Sequence, residues 1–463
     1  MDLITSRSKD ESERKEHLES AVQQWLQNHS SCPSSSRVFL SLLHQLLHEP
    51  AFIDWSSWNP LSDSKQVSLS HLPTPSPSQL PSLLRRLAVI RLNGGLGTTM
   101  GCYGPKSLIT VKDGHSFLEV SLRQHESLVN RTGVSIPLLL MNSFATHEET
   151  ENAVGGRARC FCQSKCPRLD AKSLLPLPDE EDSERWYPPG HGNVFVALEE
   201  AGLLSDLLRS GHDILFISNI DNTGATPSAE ILSWFASENV EYAMECTEKT
   251  QADLKGGTLI EIHGRPMHLE MPQVPPDHVD DFCSTNIFKI FNTNNIWVNA
   301  RSVSGRSFDI RSEIILNRKK TSTGREVIQL EASIGGAIRN FERAFCVHVP
   351  RSRFIPVKGT ADLLGVCSDL FSLDLSSYCL LPLFSPPPPR ITLSSHFSSV
   401  SSLRERFPVW PSLRNLRSLS IQGDFQFEGE CTFEGDVTLT SSVPVVVPAG
   451  QFYSKQVINL SQG

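Results

Sequence analysis

Apolar residues change their spacing along this chain, and each spacing predicts a different element. Leu18, Val22, Trp25 and Leu26 keep helical intervals over residues 12–27, and the pattern returns over residues 38–47 behind the capping run Ser34-Ser35-Ser36. Two amphipathic helices are predicted, packed by their apolar faces on the rest of the protein. From 59 to 81 the pattern fails. Serines and five prolines, Pro60, Pro73, Pro75, Pro77 and Pro81, exclude a helix or a sheet interior and predict a surface linker. Short, nearly continuous apolar runs then take over, at 87–92, 136–141 and after Asp213, with a helix-like stretch at 117–129 between the first two. This alternation is the rhythm of an α/β fold. Tyr242 to Cys246 reads as a further strand. A hairpin closing at Gly264 and running to Leu269-Glu270 follows, and then a strand over 287–291 that leads into the amide-rich turn Asn292-Thr-Asn-Asn295. After the serine-proline break at 385–389 a period of six appears: Ile421, Phe427, Phe433, Leu439 and Val445, with Gly423, Gly429 and Gly435 between them. Such a repeat predicts coils of a parallel β-helix, with a plain meander as the alternative.

Chemistry concentrates where the first buried run ends. Residues Leu92-Asn-Gly-Gly-Leu-Gly-Thr-Thr-Met-Gly-Cys-Tyr-Gly-Pro-Lys106-Ser hold five glycines, two threonines and one lysine. Glycines let backbone N–H groups approach anionic oxygens, and Lys106 adds a movable positive charge, so the stretch reads as a phosphate-handling loop. Gly95, Gly97 and Gly101 have the wrong second gap for a dinucleotide fingerprint, and Pro105 removes the N–H that a P-loop needs before its Lys-Ser. A carboxylate, Asp221, stands at the end of the apolar run that begins after Asp213. It is a natural Mg2+ position, although an aspartate there is more often a turn former.

The loop resembles the signature of eukaryotic UTP:glucose-1-phosphate uridylyltransferases, the UDP-glucose pyrophosphorylases. It differs from the loop of UDP-N-acetylhexosamine pyrophosphorylases, because Leu96 replaces their glutamine and no arginine follows Thr98. Further segments are similar to the family's: Met141-Asn-Ser-Phe, Phe161-Cys-Gln163-Ser-Lys-Cys-Pro-Arg, Trp186-Tyr-Pro-Pro-Gly190-His191-Gly-Asn193, Asn219-Ile-Asp221, Phe291-Asn-Thr-Asn-Asn and Pro350-Arg-Ser-Arg-Phe-Ile-Pro-Val-Lys358. The resemblance implies a Rossmann-like, GT-A-like α/β nucleotidyltransferase with a mixed central sheet and a C-terminal left-handed parallel β-helix used in homo-oligomer assembly. Domains are expected at 1–84, 85–366 and 367–463. It implies uridylyl transfer from UTP to glucose 1-phosphate, giving UDP-glucose and pyrophosphate, with Mg2+ at Asp221. Lys106, Lys358 and Asp221 would be catalytic. Leu92, Asn93, Gly94, Gly95, Lys106, Met141, Gln163, Gly190 and Lys358 would bind the nucleotide, Gln163 reading uracil because an amide both donates and accepts. His191, Asn219, Glu270, Asn292 and Asn294 would bind the sugar phosphate. Two positions depart from the family: Cys162 replaces its asparagine and Asn193 its aspartate, the latter still able to cap the helix that follows. A relative with a broader hexose preference, or a nucleotide-binding assembly protein without turnover, are the alternatives.

Composition narrows the classes. A formal charge of −9 and a pI near 5.9 exclude a broad nucleic-acid surface, so a triphosphate must be met by backbone and a few cations, Lys358 being the best second one. The charged N-terminus is no export signal, and no apolar run reaches the ~18 residues of a membrane span. Eleven cysteines without a CxxC pair predict reduced thiols and a cytoplasmic protein; Cys160, Cys162 and Cys166 lack the partner pair a zinc site needs.

Overall fold

The computed structural model describes residues 2–178, 182–455 and 457–459. Its centre is an eight-stranded sheet of β1 (Gln66–Ser68), β2 (Leu87–Asn93), β3 (Leu138–Asn142), β4 (Arg159–Cys162), β5 (Ile214–Asn219), β6 (Tyr242–Glu248), β7 (Ile290–Asn299) and β8 (Ala344–His348). The spatial order is β1-β8-β6-β7-β5-β2-β3-β4. Only β7 runs against its neighbours, so the sheet is mixed. All seven residues of β2 are buried because both faces of the sheet are covered: Ala88, Ile90 and Leu92 point into one core, Leu87 and Val89 into the other. In-register pairing brings Asn93 beside Asn142, Asn142 beside Cys162, and Leu92 beside Asn219. The carboxyl edge of the sheet, where open α/β folds hold ligands, is therefore rimmed by polar strand ends.

Three expectations change. Residues 59–81 are not all linker: β1 adds to the sheet edge beside β8, within the proline-free stretch between Pro60 and Pro73. The strand expected over 287–291 begins at Ile290 and runs to Asn299, so the amide-rich run lies inside a strand rather than in a turn after it. The boundary expected between 366 and 367 falls in the helix Thr360–Cys367, whose Leu363, Leu364, Val366 and Cys367 pack into the C-terminal core.

The predicted N-terminal helices span Asp2–His29 and Pro33–His48 and share a core with Cys166, Leu169, Tyr187, Ile328 and Leu330. At the other end, Ile421 pairs in parallel with Leu439, Phe425 with Val445 and Phe433 with Tyr453, intervals of 18, 20 and 20 residues. These intervals are about three times the six-residue period of the sequence. This unit shares its core with Met100, Ile109, Val111 and Phe117, so it buttresses the glycine-rich loop.

Candidate functional site

The loop after β2 folds back on itself. Gly97 N–H donates to the Gly104 carbonyl (3.2 Å), and Lys106 N–H to that of Gly95 (3.1 Å). Gly101 has φ +68°, and a Cβ there would come within 2.5 Å of Ser399 Cβ in the C-terminal unit. The turn thus needs glycine twice over, for its dihedral and for its space. Its return places the Lys106 ammonium in an ion pair with the Asp221 carboxylate, just beyond the end of β5. Both side chains are about one-fifth exposed, at the mouth of the cleft. Asn219 ends β5, and its carbonyl accepts the N–H of Asn222 (3.1 Å).

Gln163 forms the floor on the β4 side. Its N–H donates to the Asn142 carbonyl (2.9 Å), and a Cβ on Gly94 would lie 2.0 Å from its Nε2, so only glycine lets the amide rest against the loop. Its Oε1 is buried and has no hydrogen-bond partner among the described residues. A buried acceptor without a donor is costly unless a ligand supplies one. Asn193 holds this segment: its Oδ1 accepts the Ser164 N–H (2.7 Å), and it makes no side-chain cap to the helix Val194–Glu200, contrary to expectation. An aspartate oxygen could accept the same N–H, so this contact does not require asparagine. Asn93 is a bolt, donating to Asn142 Oδ1 (2.8 Å) and Thr150 Oγ1 (3.0 Å), while Leu92 and Met141 lie buried in the sheet core beneath the loop.

Gly190, at φ +89°, lies so close to the Ala332 carbonyl that a Cβ would approach it to 2.8 Å. The neighbouring His191 accepts the Ile334 N–H at Nδ1 (3.0 Å), which puts the proton of a neutral ring on Nε2. Burial, then the nearby His268, press its pKa down to about 4, with the Asp221 charge opposing. His191 is therefore a fixed neutral donor close to Asp221.

A polar cluster lines the opposite wall. β7 carries a bulge where Glu245 and Cys246 face Asn295 and Asn292, leaving Thr293 and Asn294 as extra residues. Asn294 takes φ +57°, its N–H donates to Asn292 Oδ1 (2.7 Å), and its Oδ1 accepts from Asn292 Nδ2 (2.9 Å). Asn292 Nδ2 also meets His268 Nε2 at 3.1 Å. Glu270 stands 3.6 Å from the same ring nitrogen; burial pushes its pKa up to about 7, against the pull of Lys358 and Lys249. Lys358 is exposed, its ammonium 5.4 Å from the Phe291 ring centroid. Among the described residues, no hydrogen bond or ion pair joins it to Lys106 and Asp221. The Lys358 ammonium thus stands on the Phe291 and Glu270 side.

Sequence reasoning missed two parts. His268 is wholly buried, with its pKa pressed down to about 4 by desolvation, and a lone histidine in a strand gives no signal. Glu245 and Arg353 form a buried bidentate ion pair (both contacts 2.7 Å) under the Asp221 loop. Asn222 links the two, donating to Asn295 Oδ1 and the Arg353 carbonyl (both 3.1 Å) and accepting the Ile355 N–H (2.9 Å).

The lowered pKa of His268 predicts acid sensitivity. Unfolded chain takes up a proton near pH 6.5 and the native ring only near 4, so its contribution is full above 6.5 and is lost as pH falls towards 4, a change of roughly 3 kcal/mol. Glu270 and Glu313, both raised to about 7, act in the opposite direction, so the difference between wild type and His268→Gln isolates the effect. Urea unfolding against pH should give the variant a stability curve that falls less on acidification; parallel curves would refute a neutral buried His268.

The sequence model of the family described as UTP–glucose-1-phosphate uridylyltransferase matches residues 36–434. The UTP–glucose-1-phosphate uridylyltransferase of Hordeum vulgare is 43% identical over 440 residues, 91% of this chain and 92% of that one. That of Saccharomyces cerevisiae is 48% identical over 356 residues, covering 74% and 71%. Among solved structures, a UDP-glucose pyrophosphorylase mutant from Leishmania major in complex with UDP-glucose superposes with a TM-score of 0.86 at 27% identity, over 95% of this chain and 99% of that one. The UDP-glucose phosphorylase of Trypanosoma brucei gives 0.86 at 30%, over 96% and 100%.

Proposed function

The chain belongs to the UTP–glucose-1-phosphate uridylyltransferase family, and from that premise we propose how its residues divide the reaction between them. The enzyme joins UTP and glucose 1-phosphate into UDP-glucose and pyrophosphate. The attacking sugar-phosphate oxygen is already anionic, so no general base is needed; the protein must align it with the α-phosphorus and neutralise charge as pyrophosphate departs. Lys106 contacts the phosphates of UTP, with the Gly94-Gly95 backbone against the nucleotide. Gln163 pairs with uracil through its amide, and Gly190 lets the backbone close on the nucleotide. His191 donates Nε2–H to the sugar phosphate, and Asn219 lies beside it. Glu270, Asn292 and Asn294 meet hexose hydroxyls, and Lys358 balances charge from the Glu270 side. Mg2+ fits this donor set, because Asp221 offers one anionic carboxylate at the cleft mouth and phosphate oxygens and water complete an octahedron. When bound there the ion neutralises phosphate charge.

The observations that support the reading are the Lys106–Asp221 pair at the carboxyl edge of the sheet and the buried, partnerless Gln163 amide oxygen on the β4 side of the same edge. The test is pyrophosphate release with each nucleoside triphosphate and a panel of hexose 1-phosphates. Gln163→Leu should lower kcat/KM for UTP by about a hundredfold and bring UTP and CTP closer together, since a site built for hydrogen bonds loses most when one partner is gone. Unchanged discrimination would remove Gln163 from base recognition.

The central sheet is read as GT-A-like and the stacked C-terminal strands as a left-handed β-helix. Phe452, Val446 and Val457, exposed at 56%, 58% and 82%, support its open end as the surface for a second copy. All eleven cysteines are free thiols, in keeping with a cytoplasmic protein, and no helix among the described residues is long and apolar enough to cross a membrane.

A further inference from the structure

We propose that Glu19, His44 and His48 form a site for a divalent transition metal of the zinc class, on the outer side of the N-terminal helix pair and away from the Asp221 cleft. His44 and His48 are one turn apart on the helix Pro33–His48, so both rings rise from one face, with centroids 4.4 Å apart. Glu19, on the partner helix, points one carboxylate oxygen at both: Oε1 lies 2.8 Å from His44 Nδ1 and 3.4 Å from His48 Nε2. The three ligand atoms all lie within 4.8 Å of one another. Donors about 2.0–2.1 Å from a tetrahedral zinc ion stand roughly 3.4 Å apart; the Glu19–His48 separation already matches, the Glu19–His44 one needs to open by about half an ångström, and the two histidine nitrogens lie within 4.8 Å of each other. Two imidazoles and a carboxylate are a borderline set suited to Zn2+, Co2+ or Ni2+ rather than Mg2+, which prefers oxygen.

Three further features favour a cation there. The backbones carrying the ligands are held by a packed core, with Val22 and Leu26 from one helix against Phe39, Leu42 and Leu43 from the other, so little ordering is left for the ion to impose. Gln45 Nε2 donates to the Ser312 carbonyl (3.0 Å), pinning the second helix between the two histidines. His48 lies in the last helical turn, where the backbone carbonyls leave partial negative charge. His44 is 63% exposed, so the fourth position faces water, and the site binds exchangeably. An ion there would staple the helix pair. That pair also reaches the base-reading segment, since the Lys165 N–H donates to Ser35 Oγ (3.2 Å) two residues from Gln163.

The test is Co2+ titration of the full-length protein after its accessible thiols, Cys32 and Cys162 among them, have been alkylated. Wild type should show saturable visible d–d absorption of a nitrogen and oxygen site, without thiolate charge transfer, and Zn2+ should displace it. The His44→Ala/His48→Ala double variant should bind at least tenfold more weakly. Zn2+ should also raise the thermal midpoint of wild type and leave that of the variant unmoved, while both release pyrophosphate at the same rate. Co2+ spectra and affinities identical in the two proteins, or no saturable binding by either, would overturn the proposal.

Discussion

Asp221→Asn should release pyrophosphate from UTP and glucose 1-phosphate about a thousandfold more slowly than wild type, because it removes charge at the one point where the cleft concentrates it. The substitution keeps the shape of the side chain, so its effect reads electrostatics rather than packing. In the native protein the carboxylate is only one-fifth exposed and touches the Lys106 ammonium. Without the negative charge Lys106 loses the partner that orients it, and on the proposed reading Mg2+ would lose its anionic protein ligand. Both losses fall on the step in which charge moves on to pyrophosphate, so kcat should fall far more than KM for the sugar phosphate rises. A tenfold increase in Mg2+ should recover little, since the missing ligand sets position as well as affinity. The check is a kcat and KM series against Mg2+ concentration. A variant within tenfold of wild type at saturating Mg2+ would place the metal elsewhere.

The parts of this site that were legible in the sequence are those made within one segment. The buried run of β2, its glycines and Lys106 are contiguous, and Asp221 follows β5 directly, so local pattern was enough to place them on one sheet edge. The six-residue period was legible for the same reason: it is a local spacing, and the parallel strand pairs it accompanies recur at intervals of 18 to 20 residues. What stayed hidden depends on pairing between distant segments. Glu245 and Arg353 are 108 residues apart, and nothing near either one announces its partner. His268 gains its environment from Asn292 and from the bare backbones of Gly257 and Gly335. Asn294 looked like a turn residue because asparagine favours turns; in the fold the same left-handed tolerance serves a bulge that re-aims side chains within a strand. Asn193 looked like a helix cap, and long-range packing gave its oxygen to Ser164 instead.

The hidden pair is also where a change remote from the cleft should do most damage. Glu245 is fully buried, and its carboxylate receives Arg353 Nε and Nη2 (both 2.7 Å), Trp297 Nε1 (2.9 Å) and Asn295 Nδ2 (3.0 Å). Arg353→Met leaves that carboxylate with two neutral donors and no counter-charge, which should cost about 3–5 kcal/mol of unfolding free energy, measured by urea denaturation. The damage should reach the chemistry as well. The Arg353 backbone carbonyl accepts from Asn222, Asn222 Oδ1 holds the N–H of Gly224 (3.2 Å), and a Cβ on Gly224 would lie 2.5 Å from the Ser352 carbonyl, so the loop bearing Asp221 rests directly on this segment. A displacement of about 1 Å at Asp221 is enough to lower kcat by up to roughly a hundredfold. The double variant Glu245→Leu/Arg353→Met separates the two effects. Removing both charges should restore most of the lost stability, as apolar replacements of buried ion pairs do. It should leave kcat low, because Asn295 and Trp297 then lack the acceptor that fixes the bulged strand beside the loop. A single variant losing less than about 1 kcal/mol would show that the pair is hydrated in solution, and a double variant with full activity would show that Asp221 is positioned without it.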